Sequence, residues 1–263
     1  MNYKRFSLCY NPFMGEKFLR KANCRDLSYL RRPDGTKLRE GLFFRSASLF
    51  KAKPQFLAYI KEHDIQTIID LRTDVEIEKK PDVAIEGVRY LHIPILKAET
   101  IGITHGKGLN GFTKPPHMPE LYASLVSAPE SKEGLKQALS VIFDPERKGA
   151  ILWHCTAGKD RAGLLTALFL LALGYQEEDI YADYELSDAP SKKKGRLYAN
   201  LIRFLMWKPR LAKAVYLAMR AKREYLKSAI AEMKRQAGSI QAYLESLGVA
   251  WDQVASLFPI AGV

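Results

Sequence analysis

Apolar and polar positions alternate between two kinds of segment along the first two thirds of the chain. TIIDLR (67–72), VRYLHIPI (88–95) and GAILWHC (149–155) are short runs dense in β-branched and aromatic residues, the pattern of mostly buried strands. Helical patterns separate and follow them. PQFLAYIKEH opens on a proline suited to a first helical turn, and KEGLKQALSVIF carries apolar residues at helical spacing. AGLLTALFLLAL, just before Gly174, is apolar almost all round, which predicts a central helix sealed in the core. Strands alternating with helices predict an α/β fold, a central sheet flanked by helices, whose ligands bind beyond the carboxyl ends of the strands. IDLR and HCTAGKDR both fall at such ends.

Residues 97–119, KAETIGITHGKGLNGFTKPPHMP, hold four glycines and three prolines without periodicity. A connector this long predicts a substrate loop or disorder. Beyond residue 190 the pattern is helical again: a basic and apolar stretch to about 220, AKREYLKSAIAEMKRQ ending at Gly238, and SIQAYLESL with Ser239 as N-cap. At 263 residues and 47% hydrophobic, the chain predicts one domain, 1–263, with a basic helical elaboration at about 190–220.

Charge sharpens this division. Of the net +12, residues 192–235 carry 14 Lys/Arg against 2 Asp/Glu, while the remainder holds 27 of each. One segment therefore bears the whole excess and favours anionic partners. Every long apolar run is interrupted by Lys or Arg, and the first 21 residues lack an apolar signal core and a small-residue cleavage site, which predicts a cytoplasmic protein. Cys9, Cys24 and Cys155 are an odd number without CxxC or Cys/His metal spacing; free thiols are expected, and no zinc site.

The densest chemistry lies in HCTAGKDRAG, His154 to Gly163. A buried strand enters, glycine interrupts it and a buried helix leaves, so several backbone N–H groups converge at one helix N-terminus and form an anion cradle. Cys155 sits in that positive field with Lys159 and Arg161 nearby, conditions that favour the thiolate nucleophile. A guanidinium at 161 suits bidentate grip of a phosphate in line with sulfur, which points to phosphoryl transfer to cysteine. A nucleotide-binding Walker A loop would need Gly where Trp153 stands and Ser or Thr where Asp160 stands. A papain-like pairing fails because His154, adjacent in sequence, points to the other side of the strand; its expected role is to hold the loop backbone. The bland reading of Cys155 is an inert buried thiol.

The segment resembles the signature loop of cysteine-based protein-tyrosine phosphatases, specifically the bacterial family with an HCxAGKDR[T/A]G loop. The likeness extends to NCRDLSYLRRPDGTKLREGLFFRSASL (23–49), IIDLRTDVE and the C-terminal helices. The resemblance implies a protein-tyrosine-phosphatase-like sheet with a helical lid-like insertion, hydrolysis of phosphotyrosine and, in some members, of phosphoserine/threonine and phosphoinositides, and no metal or cofactor. It implies Cys155 as nucleophile through a phosphocysteine, Arg161 as phosphate ligand, and the amides of Thr156, Ala157, Gly158, Lys159, Asp160 and Arg161 around the equatorial oxygens. Two departures stand out: Ala162 replaces the common Ser or Thr after the loop arginine, which implies either slower turnover or a substitute donor to the departing thiolate such as Thr156, and Ser28–Tyr29 replace a Gly-Gly pair.

For the general acid, Asp160 is the preferred candidate and Asp70 the second; the structural reading of both is a salt bridge, Asp70 with Arg45 or Arg72 and Asp160 with a basic neighbour. Lys159 adds a charge to the loop floor suited to substrates with more than one phosphate. Arg196, Arg203, Lys208, Arg210 and Lys213 lie among large apolar residues, a pattern shared by helices on anionic membrane surfaces and by a lid packed on its own core; the absence of lipidation motifs favours the lid. Nucleic-acid binding is not expected, since no recognised module accompanies the charge. The rival to an enzyme is a phosphate- or phosphoinositide-binding module with little turnover.

Overall fold

A computed structural model describes residues 17–96 and 117–256. In chain order these form α1 (Lys17–Ala22), β1 (Arg25–Asp26), β2 (Phe43–Ala47), α2 (Pro54–Glu62), β3 (Ile65–Asp70), α3 (Asp74–Lys79), β4 (Arg89–His92), α4 (Met118–Ser127), α5 (Pro129–Ile142) and β5 (Ala150–Cys155). There follow α6 (Asp160–Ala172), α7 (Glu177–Leu186), α8 (Asp188–Met206), α9 (Pro209–Ala218), α10 (Arg223–Ala237), α11 (Ile240–Ser246) and α12 (Trp251–Ser256).

The strands make one sheet in the order β1-β2-β5-β3-β4, parallel except for β1. The registers place Ala47 beside Cys155 and Asp70 beside His154, so the carboxyl ends of β2, β3 and β5 gather at one edge. All six residues of β5 are buried, as a central parallel strand covered on both faces requires. Alternation along it sends Ile151, Trp153 and Cys155 into the larger core with α4–α7, α10 and α11, while Ala150 and Leu152 join Phe56 and Ile60 of α2 on the other face. Helix α6 is buried along nearly its whole length. Each Leu or Phe so buried contributes about 1.5–3 kcal/mol, which explains its all-round apolar pattern.

The α/β architecture and the three sequence-predicted strands are present, with β3 starting two residues earlier and β4 shorter than the apolar run. Strand β2 was missed because FFRSA carries Arg45 and Ser46 at buried positions, where a core strand usually has apolar residues. The short α3 and the mixed-character α4 and α7 also escaped the periodicity. Ser239 caps α11 as expected, accepting from the Ala242 N–H at 3.0 Å. The glycine-rich stretch read as a substrate loop lies outside the described residues up to position 116, as does Cys9; Met118 opens α4. The basic elaboration is the α8–α9 hairpin, with its own small core of Ile202, Ala212 and Val215.

Candidate active site

Strand β5 delivers Cys155 to the loop, where it is 2% exposed. The chain turns at Gly158 (φ +64°), where a Cβ would lie 2.4 Å from the Ser46 carbonyl oxygen. Only glycine tolerates both this backbone conformation and this approach to β2. Helix α6 starts at Asp160, which places Arg161 in its first turn.

Arg161 is clamped from α3. Its Nη1 and Nη2 donate to the two oxygens of Glu76 at 2.6 and 2.8 Å, and Nη1 also donates to the Leu71 carbonyl at 3.2 Å. Glu76 is itself fixed by a capping box: its carboxylate accepts the Thr73 N–H at 3.0 Å, and the Thr73 hydroxyl accepts the Glu76 N–H at 3.4 Å. Burial would raise the Glu76 pKa, but the bonds and charge of Arg161 outweigh it and hold the carboxyl at about 2. Glu76 was not singled out from the sequence; the readable signal was Thr73-x-x-Glu76, a helix-start pattern just beyond IDLR.

A second network holds the loop from behind. Asn23 Nδ2 donates to the carbonyls of Ala157 and Gly158 at 3.1 and 3.0 Å. Arg45 donates to the Gly158 carbonyl at 2.8 Å and to Asp183 at 2.6 Å. Arg25 bonds Asn23 Oδ1 at 3.0 Å and Asp183 at 2.7 and 3.1 Å, and the Tyr29 hydroxyl adds a bond to Asp183 at 2.7 Å. Burial pushes the Asp183 pKa up, yet the flanking Arg25 and Arg45 bring it down to about 2. Burial and the neighbouring Arg25 lower Arg45 to about 10, partly offset by Asp183. Of the side chains in this network, the sequence pointed to Arg45 as a candidate partner of Asp70; it pairs with Asp183 instead. Tyr29, one of the two departures from the family pattern, is part of it.

Other expected residues occupy different positions. His154 does not hold the loop backbone: its ring, fully buried, lies with Nε2 3.0 Å from Asp82 and Nδ1 3.8 Å from Asp70, because strand alternation turns it away from the loop that Cys155 enters. Asp70 accepts from Arg72 at 2.6 Å and from the Tyr90 hydroxyl at 2.6 Å. Burial alone would raise its pKa; these bonds and His154 lower it, and its carboxylate is engaged in an ion pair with Arg72. Asp70, Asp82 and His154 offer three ligand atoms within 4.8 Å of one another, but Arg72 Nη2 already bridges the two carboxylates at 2.6 and 2.9 Å, which disfavours a cation there.

The Lys159 ammonium does not stand on the loop floor. It donates to the carbonyls of Ala218 and Arg220 at 2.9 and 3.0 Å, at the end of α9, and pairs with Asp160 Oδ1 at 3.5 Å, the ion pair with a basic neighbour expected of that carboxylate. Asp160 accepts from the Tyr122 hydroxyl at 2.6 Å, and Tyr122 meets the Tyr184 hydroxyl at 2.6 Å. The Asp160 side chain is 29% exposed. The Thr156 hydroxyl donates to Glu76, so it is not held free for the sulfur opposite Ala162. Burial pushes the thiol of Cys24 well above its ordinary value.

A cysteine at the end of a central parallel strand, a glycine turn and an arginine in the next helix define an α/β protein with a cysteine–arginine loop at the carboxyl edge of its sheet. The sequence model of the tyrosine phosphatase family matches residues 17–258. The chain belongs to that family. It is 28% identical over 166 residues, 62% of its length, to a Cupriavidus necator protein designated a tyrosine-protein phosphatase, and 29% identical over 147 residues, 55% of its length, to a tyrosine-protein phosphatase of Nostoc commune. These alignments span 59% and 48% of those relatives, so the chain matches about half their length. It is 27% identical over 253 residues to the triple specificity protein phosphatase PtpB of Mycobacterium tuberculosis, covering 82% of this chain and 88% of that protein.

Proposed function

We propose that this protein is a cysteine-dependent phosphatase that hydrolyses phosphotyrosine through a phosphocysteine intermediate, with the catalytic domain spanning the chain. The observation that carries the reading is Arg161 locked by Glu76 beside the turn that Cys155 enters. With Nη1 occupied by Glu76 and Leu71, the Nε–H and the outer N–H of Nη2, whose Thr156 contact is long at 3.5 Å, are left for two phosphate oxygens. The amides of residues 156–161 take the remaining oxygens at the α6 N-terminus. Cys155 Sγ forms a bond to phosphorus as the phosphorus–oxygen bond to tyrosine breaks, and Asp160 supplies the proton to the leaving oxygen. Water then attacks phosphorus, Asp160 takes its proton, and the sulfur–phosphorus bond breaks to release inorganic phosphate.

Asp160 supports the acid role better than Asp70 because it is partly exposed, in the loop, and oriented by Tyr122. Phosphoserine/threonine and phosphoinositides are further substrates in this proposal, in line with the name of the Mycobacterium tuberculosis relative. Lys159 gives no support to a preference for multiply phosphorylated substrates, since its charge is used at α9.

The test is hydrolysis of p-nitrophenyl phosphate and of a phosphotyrosine peptide in the presence of a chelator. Cys155→Ser is expected to abolish turnover while retaining phosphate binding; persistent turnover defeats the reading. Asp160→Asn is expected to slow alkyl phosphates more than aryl phosphates with good leaving groups, and equal losses on both remove Asp160 as the acid.

A further inference from the structure

We propose that the α8–α9 hairpin is a peripheral membrane anchor that docks on a bilayer containing anionic lipids. Leu197, Leu201, Phe204 and Leu205 recur at i, i+4, i+7 and i+8 along α8, and Trp207 stands at the turn. Their exposures are 59, 39, 73, 68 and 88%. The hairpin's own core does not account for them. Ile202 packs between the two helices with Ala212 and Val215, so α8 is apolar on a second, outward face. A contiguous exposed apolar patch of this kind marks an interaction surface.

The shape of the turn presents this face. Trp207 adopts φ 52°, a left-handed conformation uncommon for a bulky residue, and Pro209 starts α9 immediately afterwards. The reversal leaves Trp207 at the apex, with Arg203, Lys208 and Arg210 flanking it in sequence. From Lys192 to Arg223 the sequence contains no Asp or Glu. Arg196, Arg203, Arg210 and Lys213, with Tyr216, line a groove of about 480 Å³ between the helices, and none of these cations forms an ion pair among the described residues.

Basic side chains around an apolar tip are the composition of an interfacial helix, which inserts its apolar groups and holds its cations against lipid headgroups. The charge decides between occupants: a second copy would bring the same cationic segment against itself, whereas an anionic leaflet neutralises it. The hairpin root also meets the cysteine loop through Lys159 at Ala218 and Arg220, and Arg220 is tied to Asp188 at 2.6 Å. Docking therefore fixes the orientation of the loop relative to the membrane.

The test is cosedimentation of the full chain with phosphatidylcholine vesicles, with and without phosphatidylserine, at low and high salt. Binding is expected to favour the anionic vesicles at least tenfold and to fall at high salt as screening shortens the reach of the charges. F204S/L205S/W207S is expected to weaken binding at least tenfold. R203Q/K208Q/R210Q is expected to weaken it by up to roughly 100-fold, from about fivefold per cation at an anionic surface. Both variants should retain wild-type p-nitrophenyl phosphate hydrolysis, which verifies folding. Vesicle binding without hydrolysis by the wild-type protein would overturn the catalytic reading and leave this one standing. Equal binding to neutral vesicles, no loss in the tip variant, a concentration-dependent dimer without vesicle binding, or Trp207 emission already solvent-shielded without lipid would each overturn the anchor.

Discussion

Asp183→Asn tests whether the loop is held from behind by buried charge. The Asp183 side chain is 1% exposed and lies between Arg25 and Arg45, both 0% exposed, at 2.7 and 2.6 Å. Asparagine keeps the shape but removes the carboxylate that pairs with both guanidiniums, and its amide turns a donor toward one of them. Breaking a buried pair by removing one partner costs about 3–5 kcal/mol. The depression of the Asp183 pKa from 3.8 to about 2 has the matching direction, since the fold favours the ionised carboxylate. Against a typical total of about 5–15 kcal/mol the loss is large. Urea unfolding at neutral pH should show it as a fall in midpoint. The pH dependence carries the sign: the folded pKa lies below the unfolded one, so the stabilisation is complete above about pH 4 and is lost as pH falls through about 2. The gap between wild type and variant should therefore narrow on acidification. Because Arg45 also holds the Gly158 carbonyl, alkylation of Cys155 should change rate in the variant. A loss below about 1 kcal/mol with unchanged alkylation would refute the reasoning.

Glu76→Gln is expected to loosen Arg161, raising the KM for p-nitrophenyl phosphate by about tenfold or more, and to make stability between pH 5 and 2 less pH-dependent, since the Glu76 carboxyl at about 2 supports the folded state above pH 4.5 and loses that contribution as pH falls; steady-state kinetics and acid titration of unfolding check both. Lys159→Met should leave the ratio of activities on singly and doubly phosphorylated substrates unchanged while speeding amide exchange in the α8–α9 hairpin, because the ammonium bonds Ala218 and Arg220; a selective loss on doubly phosphorylated substrates would return Lys159 to the loop floor.

The legibility of the site followed the range of its interactions. HCTAGKDRAG declared its local geometry because strand, glycine turn and helix start are contiguous, so the placing of Cys155 and Arg161 at one turn needed no knowledge of the rest of the fold. The all-apolar pattern of α6 and the runs of β3 and β5 likewise reported burial directly. Arg45 and Ser46 hid β2, since polar residues mask a core strand until their partners are known.

By itself, the sequence determined the α/β class, the central helix, the cysteine loop and the confinement of excess charge to one segment. These depend on local periodicity and on composition. Only the tertiary structure decided that Glu76 clamps Arg161, that Asp183 joins Arg25 to Arg45 across 158 and 138 positions, and that Lys159 reaches the hairpin instead of the loop floor. Charges bring distant elements together through pairs that no spacing encodes. Which partner each cation takes emerges only when the sheet has placed its strand ends side by side.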